Sequence, residues 1–495
     1  MSLGSAMDVS DLETFLRGTL GIKCSFLAMH EVLPSTLVIT CGSGGVSYRR
    51  LTTPFKGVNL DVLIVNTDII KADLTSKFLN GFIGNRFFLP TKIVRDDVGL
   101  SGDLMKYIRS RIEELVRYLT RLLNDLIAYT RIPAKFFHYY YALSIAKFLG
   151  LNINEEYLMN LLERYSCEVL RELNVEYLKE VDVCVFKVKG KVKGFRGVKR
   201  ELNVSLVRAY ESLQAIPFLL DMLRDFTSYL TMYRDVSLKK CLTLLKIRDV
   251  PIVSNVNEYI ESKLGKGYVC VTEDIIGNAR ICRKGEHRLV IKDFTSPISI
   301  KWWLVSALAM DIVKIYLNPM KRLSNELIYS EELRRFSITP RYLAIHISPP
   351  IRVLGIREFI EGEPINNVKK TNLWRDVGVL LGKLHSHDYV LIDTKSSNFI
   401  VSKEGNLALI DLEQCRVSSD IRAKAWDMSL ISNYALFTGI SDELIKALMK
   451  GYMDSFDEAH EILNKAVSLE VSKPFTLLMP TVAMKVKKLV NELLK

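Results

Sequence analysis

The alternation of apolar and polar positions changes character several times along the chain. Residues 8–95 mix two periods: Val9, Leu12, Phe15 and Leu16 recur at helical spacing, while 35–41 and 60–66 are short apolar runs with the character of buried strands. The pattern predicts an α/β domain over 7–100. Beyond Gly102, apolar residues three and four apart recur over 104–129, 134–149 and 156–173, as amphipathic helices require. A helical region over 101–250 follows. Residues 181–200 interrupt it, because β-branched residues alternate there with Lys and are punctuated by Gly190, Gly194 and Gly197, as in a β-hairpin. Helical periodicity stops before 248–257, where Pro251, Asn255 and Asn257 mark a linker, and strand character resumes in a third region, 251–495.

The chain of 495 residues exceeds the roughly 250–300 residues at which single cores stop growing, so two or three domains are expected. The excess of 68 Lys and Arg over 56 Asp and Glu, a formal charge of +12, favours acidic partners such as nucleotides or nucleic acid through a long-range field. The eight cysteines form no C-x-x-C pair and no cluster with His, which predicts neither a zinc site nor a disulfide framework and fits a reducing cytosol. No uncharged apolar run reaches the roughly 18–20 residues of a membrane span, so no transmembrane segment and a cytoplasmic location are expected.

The chemistry-bearing residues lie in the third region. In Leu391-Ile392-Asp393-Thr394-Lys395-Ser396-Ser397-Asn398, the D-x-K-x-x-N spacing sets a carboxylate, an ammonium and a metal-binding amide on one tight loop before the strand Phe399-Ile400-Val401. After a turn at Gly405-Asn406, the apolar run Leu407-Ala408-Leu409-Ile410 delivers Asp411, a second oxygen ligand for a metal held by Asn398. Upstream, Leu289-Val290-Ile291 is a strand ending in Lys292, and Arg322-Leu323-Ser324-Asn325-Glu326 is a helical segment able to return a carboxylate to that lysine. Arg357-Glu358-Phe359-Ile360-Glu361-Gly362 reads as a strand entering a Gly turn, where the backbone of Glu358 and Ile360 can meet an adenine edge. These are the parts that phosphoryl transfer from ATP needs, in order.

Over about 268–430, these strings, with Leu384-His385-Ser386-His387-Asp388, Ile410-Asp411-Leu412-Glu413-Gln414 and Trp426-Asp427, resemble the atypical kinases of the RIO family and the small kinase of the KEOPS complex, with their archaeal relatives. The resemblance implies a two-lobed protein-kinase-like fold that uses ATP with Mg²⁺ or Mn²⁺ as an atypical serine/threonine kinase or ATPase. It also implies roles: Lys292 on the phosphates, Glu326 pairing with it, Asp393 as catalytic carboxylate, Lys395 neutralising the γ-phosphate, Asn398 and Asp411 on the metal, Asp427 bracing the loop. Gly277 is the glycine of the nucleotide-covering segment.

The chain departs from the usual pattern in three places. Leu391-Ile392 replaces the His-Arg that reads a phosphorylated activation loop, and Asp411-Leu412-Glu413 lacks the glycine that eases a flip of that segment, which predicts a fixed geometry. Only fifteen residues separate Asp411 from Asp427, too few for a peptide-docking platform. The fold class expected is therefore α+β multidomain, with an α/β domain and a helical middle region ahead of a kinase-like domain, and a macromolecular substrate, protein or ribonucleoprotein.

Four further features allow two readings each. His385 and His387 read as local packing rather than a metal pair, and 298–317 as an extra packing helix rather than a membrane-surface one. Gly42-Ser43, with Asn59 and Asp61, resembles the nucleotidyltransferase pattern with its first carboxylate replaced, which implies a degenerate domain or, in an alternative reading, the enzyme itself. The segment 187–200, from Lys187 to Arg200, carries seven basic residues and no acid. It suits RNA phosphates, with Phe186 and Phe195 as stacking partners, or is a solvated face. Joined to a kinase domain that binds nucleotide without turnover, it would make the protein a nucleotide-sensing, RNA-binding pseudokinase.

Overall fold

The protein is described by a computed structural model covering residues 9–20, 24–30, 37–42, 48–56, 58–77, 81–148, 155–189, 241–272, 279–295, 312–348 and 352–495. The chain is α+β and divides into two compact units, Met1–Asp249 and Val250–Lys495. No helix among the described residues is long and apolar enough to cross a membrane.

In the first unit, strands β1 (Cys24–His30), β2 (Leu37–Gly42), β3 (Tyr48–Phe55), β4 (Val58–Val65) and β5 (Thr91–Asp96) form a mixed sheet in the order β3-β4-β2-β1-β5. Only the β2/β4 pair is parallel. Leu60, Val62 and Ile64, alternate residues of β4, pack with Leu27 and with Leu12 and Leu16 of the helix Val9–Leu20. Period-2 and period-3.6 stripes thus meet in one core. Asn59 and Asp61 lie on β4, while Ser43 falls outside the described residues.

The helices Leu100–Leu123, Lys135–Phe148 and Glu155–Leu173 follow. A hairpin then forms from Leu178–Asp182 and Val185–Val188. It turns at Val183-Cys184, and 190–200 lies outside the described residues. Lys187 is half-buried opposite Lys179, Lys189 is exposed, and Phe186 is buried in the core, where no base can stack on it.

Two disulfides correct the cysteine reading. Cys167 on the helix Glu155–Leu173 bonds Cys184 in the hairpin turn, with Glu180 beside them, and Cys270 bonds Cys282 across two paired strands of the second unit. Sequence spacings of 17 and 12 reveal neither, because proximity comes from a helix packing on a hairpin in one case and from strand register in the other.

The second unit opens at Ile252, which bridges Ile345. An antiparallel sheet of five strands follows, in the order Val269–Thr272, Ala279–Lys284, His287–Asp293, Arg352–Glu358, Tyr342–Ser348. The helix Val256–Leu264 packs on it through Ile260, against Cys282, Leu289 and Ile291. The strands lead into a helical lobe built on Thr371–Ser386, Ile421–Phe437 and Asp442–Met453, whose core centres on Trp374, Leu381, Leu384, Ile431 and Leu448. Residues 312–318 contain no helix: Ile312, Val313 and Ile315 join the core as irregular chain, which corrects the end of the helix expected over 298–317. The rest of that segment lies outside the described residues, as does Gly277.

Candidate active site

Lys292 is the sixth residue of the strand His287–Asp293, whose Leu289, Val290 and Ile291 are buried. Both neighbouring strands pair with it, so Lys292 stands in the middle of the sheet, opposite Ala279 on one side and Gly355 on the other. The helix Pro319–Glu332 begins at Asn318, whose side chain accepts hydrogen bonds from the N–H groups of Met320 and Lys321, with Pro in the first turn. Its buried residues Arg322, Asn325 and Glu326 are three and four apart and share one face.

That face meets Lys292 and the segment after Leu407–Leu409. The Lys292 Nζ lies 3.1 Å from Glu326 Oε2, 2.5 Å from Asp411 Oδ1 and 3.5 Å from Glu413 Oε2. Burial alone would pull the Lys292 pKa down, but the carboxylates of Asp411, Glu326 and Glu413 outweigh it and hold the ammonium well above its ordinary value. The side chains of Lys292, Glu326 and Glu413 are almost fully buried, whereas Asp411 is 30% exposed. Asp411 is thus the member of the cluster that solvent or a ligand reaches.

The catalytic-loop candidates are organised by Asp427 on the helix Ile421–Phe437. Its fully buried carboxylate accepts hydrogen bonds from the N–H groups of Leu391 and Ile392, each at 2.7 Å, and from the Thr394 hydroxyl at 3.2 Å, and lies 3.2 Å from His385 Nε2. The indole N–H of Trp426 donates to the Ile392 carbonyl at 2.9 Å. These bonds hold Ile392 at φ +66°, a left-handed conformation that costs a β-branched residue about 1–3 kcal/mol. The buried Asp393 follows directly, with Lys395 Nζ 2.8 and 2.9 Å from its two oxygens. His385 Nδ1 lies 2.7 Å from the Tyr452 hydroxyl, so this histidine is a packing and hydrogen-bonding residue. His387 Nδ1 lies 3.0 Å from the Lys383 carbonyl.

The amide nitrogen of Asn398 donates to the Asp393 carbonyl at 2.7 Å, so its oxygen is the end that this bond does not use. Ile410 N–H donates to the Asn398 carbonyl at 3.0 Å, so Asp411, at φ +63°, begins where Asn398 sits. An amide oxygen beside a part-exposed carboxylate is the hard-oxygen donor set that Mg²⁺ or Mn²⁺ takes, and these two residues fit such an ion.

Glu358 ends the strand Arg352–Glu358 opposite Leu289, and its N–H donates to the Arg341 carbonyl at 3.0 Å. That N–H is spent, and at this edge Glu358 is exposed and Ile360 half-buried. Gly362, at φ +151°, lies so close to the Val401 carbonyl that a Cβ there would collide with backbone.

Reading the sequence missed the part played by Glu413. Both its oxygens accept from Arg322 Nη2 at 2.8 Å, and its carbonyl accepts from the Asn325 amide at 3.0 Å. Next to it, Gln414 exchanges two hydrogen bonds with the Tyr316 backbone, at 2.8 and 3.0 Å. The available signal was Arg322, four residues before Glu326 on the same buried face, since an arginine there demands a carboxylate partner.

No family model matches the chain. It is 30% identical over 117 residues to a probable bifunctional tRNA threonylcarbamoyladenosine biosynthesis protein of Methanospirillum hungatei, covering 23% of this chain and 22% of that one. It is 32% identical over 114 residues to the protein of the same description from Methanosarcina mazei, covering 23% and 21%. The matched stretch thus spans about a fifth of the length of these curated relatives.

Proposed function

We propose that the unit 250–495 is an atypical, kinase-like phosphotransferase or ATPase that uses ATP with Mg²⁺ or Mn²⁺ and acts on a macromolecular partner, protein or ribonucleoprotein. The observation that carries this reading is one constellation: Lys292 held by Glu326 and Asp411, with Asp393 and Asn398 on a loop organised by Asp427. Similarity to proteins described as acting in tRNA modification supports an enzyme of this class.

In this reading Lys292 holds the α- and β-phosphates, oriented by Glu326, and the edge from Glu358 to Ile360 receives the adenine, with Gly277 in the segment covering the nucleotide. Asn398 and Asp411 hold the metal, which when bound neutralises charge on the phosphates. Asp393 accepts the proton of the attacking hydroxyl or water, and Lys395 leaves Asp393 to meet the γ-phosphate. A pseudokinase reading has one observation in its favour, the contact of Lys395 with both oxygens of Asp393.

The test is turnover of γ-labelled ATP with Mg²⁺ and with Mn²⁺, following label on protein, on RNA and as free phosphate. Label transfer or release lost in both Asp393→Asn and Asp411→Ala supports the enzyme. Metal-dependent ATP binding without turnover supports the pseudokinase. Nucleotide incorporation that persists in Asp393→Asn and disappears in Asp61→Ala would move the activity to the first unit.

A further inference from the structure

Glu413 stands where the usual segment carries a glycine, and it is not a surface residue that happens to fit. It is buried, bidentate on Arg322, fixed through its own carbonyl to Asn325, and 3.5 Å from Lys292. The cluster therefore sets three carboxylates, Glu326, Asp411 and Glu413, against Lys292 and Arg322, with the buried Arg357 also acting on Glu326. The three acids are not equivalent. Glu326 and Glu413 are sealed from solvent, while Asp411 alone is part-exposed and sits beside Asn398.

Asp411 faces two claims on one carboxylate. It makes the shortest contact of Lys292, at 2.5 Å, yet on the reading proposed above it must also ligate a divalent cation. A divalent cation on the same carboxylate draws off negative charge that Lys292 shares and repels the ammonium, and leaving a buried lysine poorly compensated is costly. A further buried anion on the same lysine, Glu413 beside Glu326, eases this conflict.

We propose that Glu413 is a positioning residue that keeps Lys292 anchored when Asp411 is given over to the divalent metal. Arg322 holds Glu413 in place for this, and the lost glycine is the consequence: the segment gives up its freedom to flip and gains a fixed anion behind the lysine. The inference rests on the proposed metal site and deepens it.

The experiment measures Mn²⁺ binding directly, by the electron paramagnetic resonance signal of the free ion, on the full chain with a non-hydrolysable ATP analogue, so that no turnover is needed. Glu413→Gln keeps the shape and removes the charge. Lys292 then depends more heavily on Asp411, and the Mn²⁺ concentration for half-saturation rises about tenfold, with the analogue's affinity in the absence of metal little changed. Glu413→Asp keeps the charge for Arg322 but draws it back from Lys292, and gives a smaller rise. If Glu413→Gln folds poorly, Glu413→Asp serves alone. Mn²⁺ binding unchanged in a folded variant overturns the proposal and leaves Glu413 a structural residue. Asp411→Ala is the separate control: if it too leaves Mn²⁺ binding unchanged, the metal site itself is misassigned.

Discussion

Both units bury ionisable side chains, but two groups of them are satisfied in different ways. The first unit buries His30 and His138, and desolvation, aided at His30 by the Arg86 charge, lowers each pKa to about 3. These rings are neutral at pH 7. Its buried Asp73 is spent on backbone, accepting from the N–H groups of Gly81, Ile83 and Gly84 at 3.0, 2.8 and 2.9 Å and closing a turn. The second unit instead buries charge against charge, Lys292 and Arg322 against Glu326 and Glu413, and leaves one carboxylate, Asp411, part-open. Neutral rings and backbone-capping acids stabilise a fold, whereas a paired cluster with one accessible oxygen is poised to exchange a partner. On the function proposed above, chemistry belongs to this cluster of the second unit and architecture to these residues of the first.

The strongest way to break this comparison is Asp393→Asn. Loss of a catalytic carboxylate lowers γ-phosphate turnover by about 10²–10⁴-fold, read as labelled phosphate at saturating ATP, while Asp61→Ala in the first unit leaves it unchanged. Turnover that survives in Asp393→Asn would return the chemistry to the first unit.

Next in size is Asp427→Ala, which strands the N–H groups of Leu391 and Ile392 in the core. We expect a loss of about 3–5 kcal/mol, read by tryptophan fluorescence in urea. All four tryptophans, Trp302, Trp303, Trp374 and Trp426, belong to the second unit, so this signal reports on it alone.

The buried histidines sharpen the contrast through pH. Their folded pKa, about 3, lies below the ordinary 6.5 of the unfolded chain. The unfolded state therefore binds more protons between those values. The stability contributed is fully present above pH 6.5 and falls as pH drops toward 3, by about 2 kcal/mol per histidine at pH 5. Circular dichroism in urea follows both units and should show a component that weakens from pH 7 to pH 5 more than the tryptophan transition does. A His138→Phe variant that keeps the full pH dependence would remove that residue from the account.

The smallest effect concerns RNA. With Phe186 buried, Lys187 and Lys189 act only as charges, so replacing both by Ala should reduce the slope of log affinity against log salt by about 1.4–1.8, in a filter-binding titration. No change in slope would make this part of the hairpin a solvated face.

Much of the candidate loop 391–398 was legible in the sequence because its parts are local. Asp393, Lys395 and Asn398 lie within six residues, and a D-x-K-x-x-N loop before a strand keeps them together whatever else folds around it. The helices of the first unit were equally legible, since a 3.6-residue period reports one buried face directly: the observed Leu100–Leu123, Lys135–Phe148 and Glu155–Leu173 fall on the predicted stretches. Residues 312–317, the end of the 298–317 stretch, were read as helix because their apolar density is high. They are buried as irregular chain instead, held in part by the Gln414 side chain, which hydrogen bonds to the Tyr316 backbone and offers it a partner that a helix would otherwise provide.

What the sequence by itself determined is whatever depends on neighbours along the chain: the periodicities, the change of pattern near 248–257 where the two units divide, and the order of Lys292, Glu326, Asp393, Asn398 and Asp411 along the chain. Only the tertiary structure decided the partnerships that span the chain. Arg322 meets Glu413 across 91 residues and Lys292 meets Asp411 across 119. Cys167 finds Cys184, and Cys270 finds Cys282, because a helix and a strand register bring them together. Such pairs carry no periodic signal, because they are set by how strand, helix and loop pack into one core, where a buried charge without its partner would be too costly to keep.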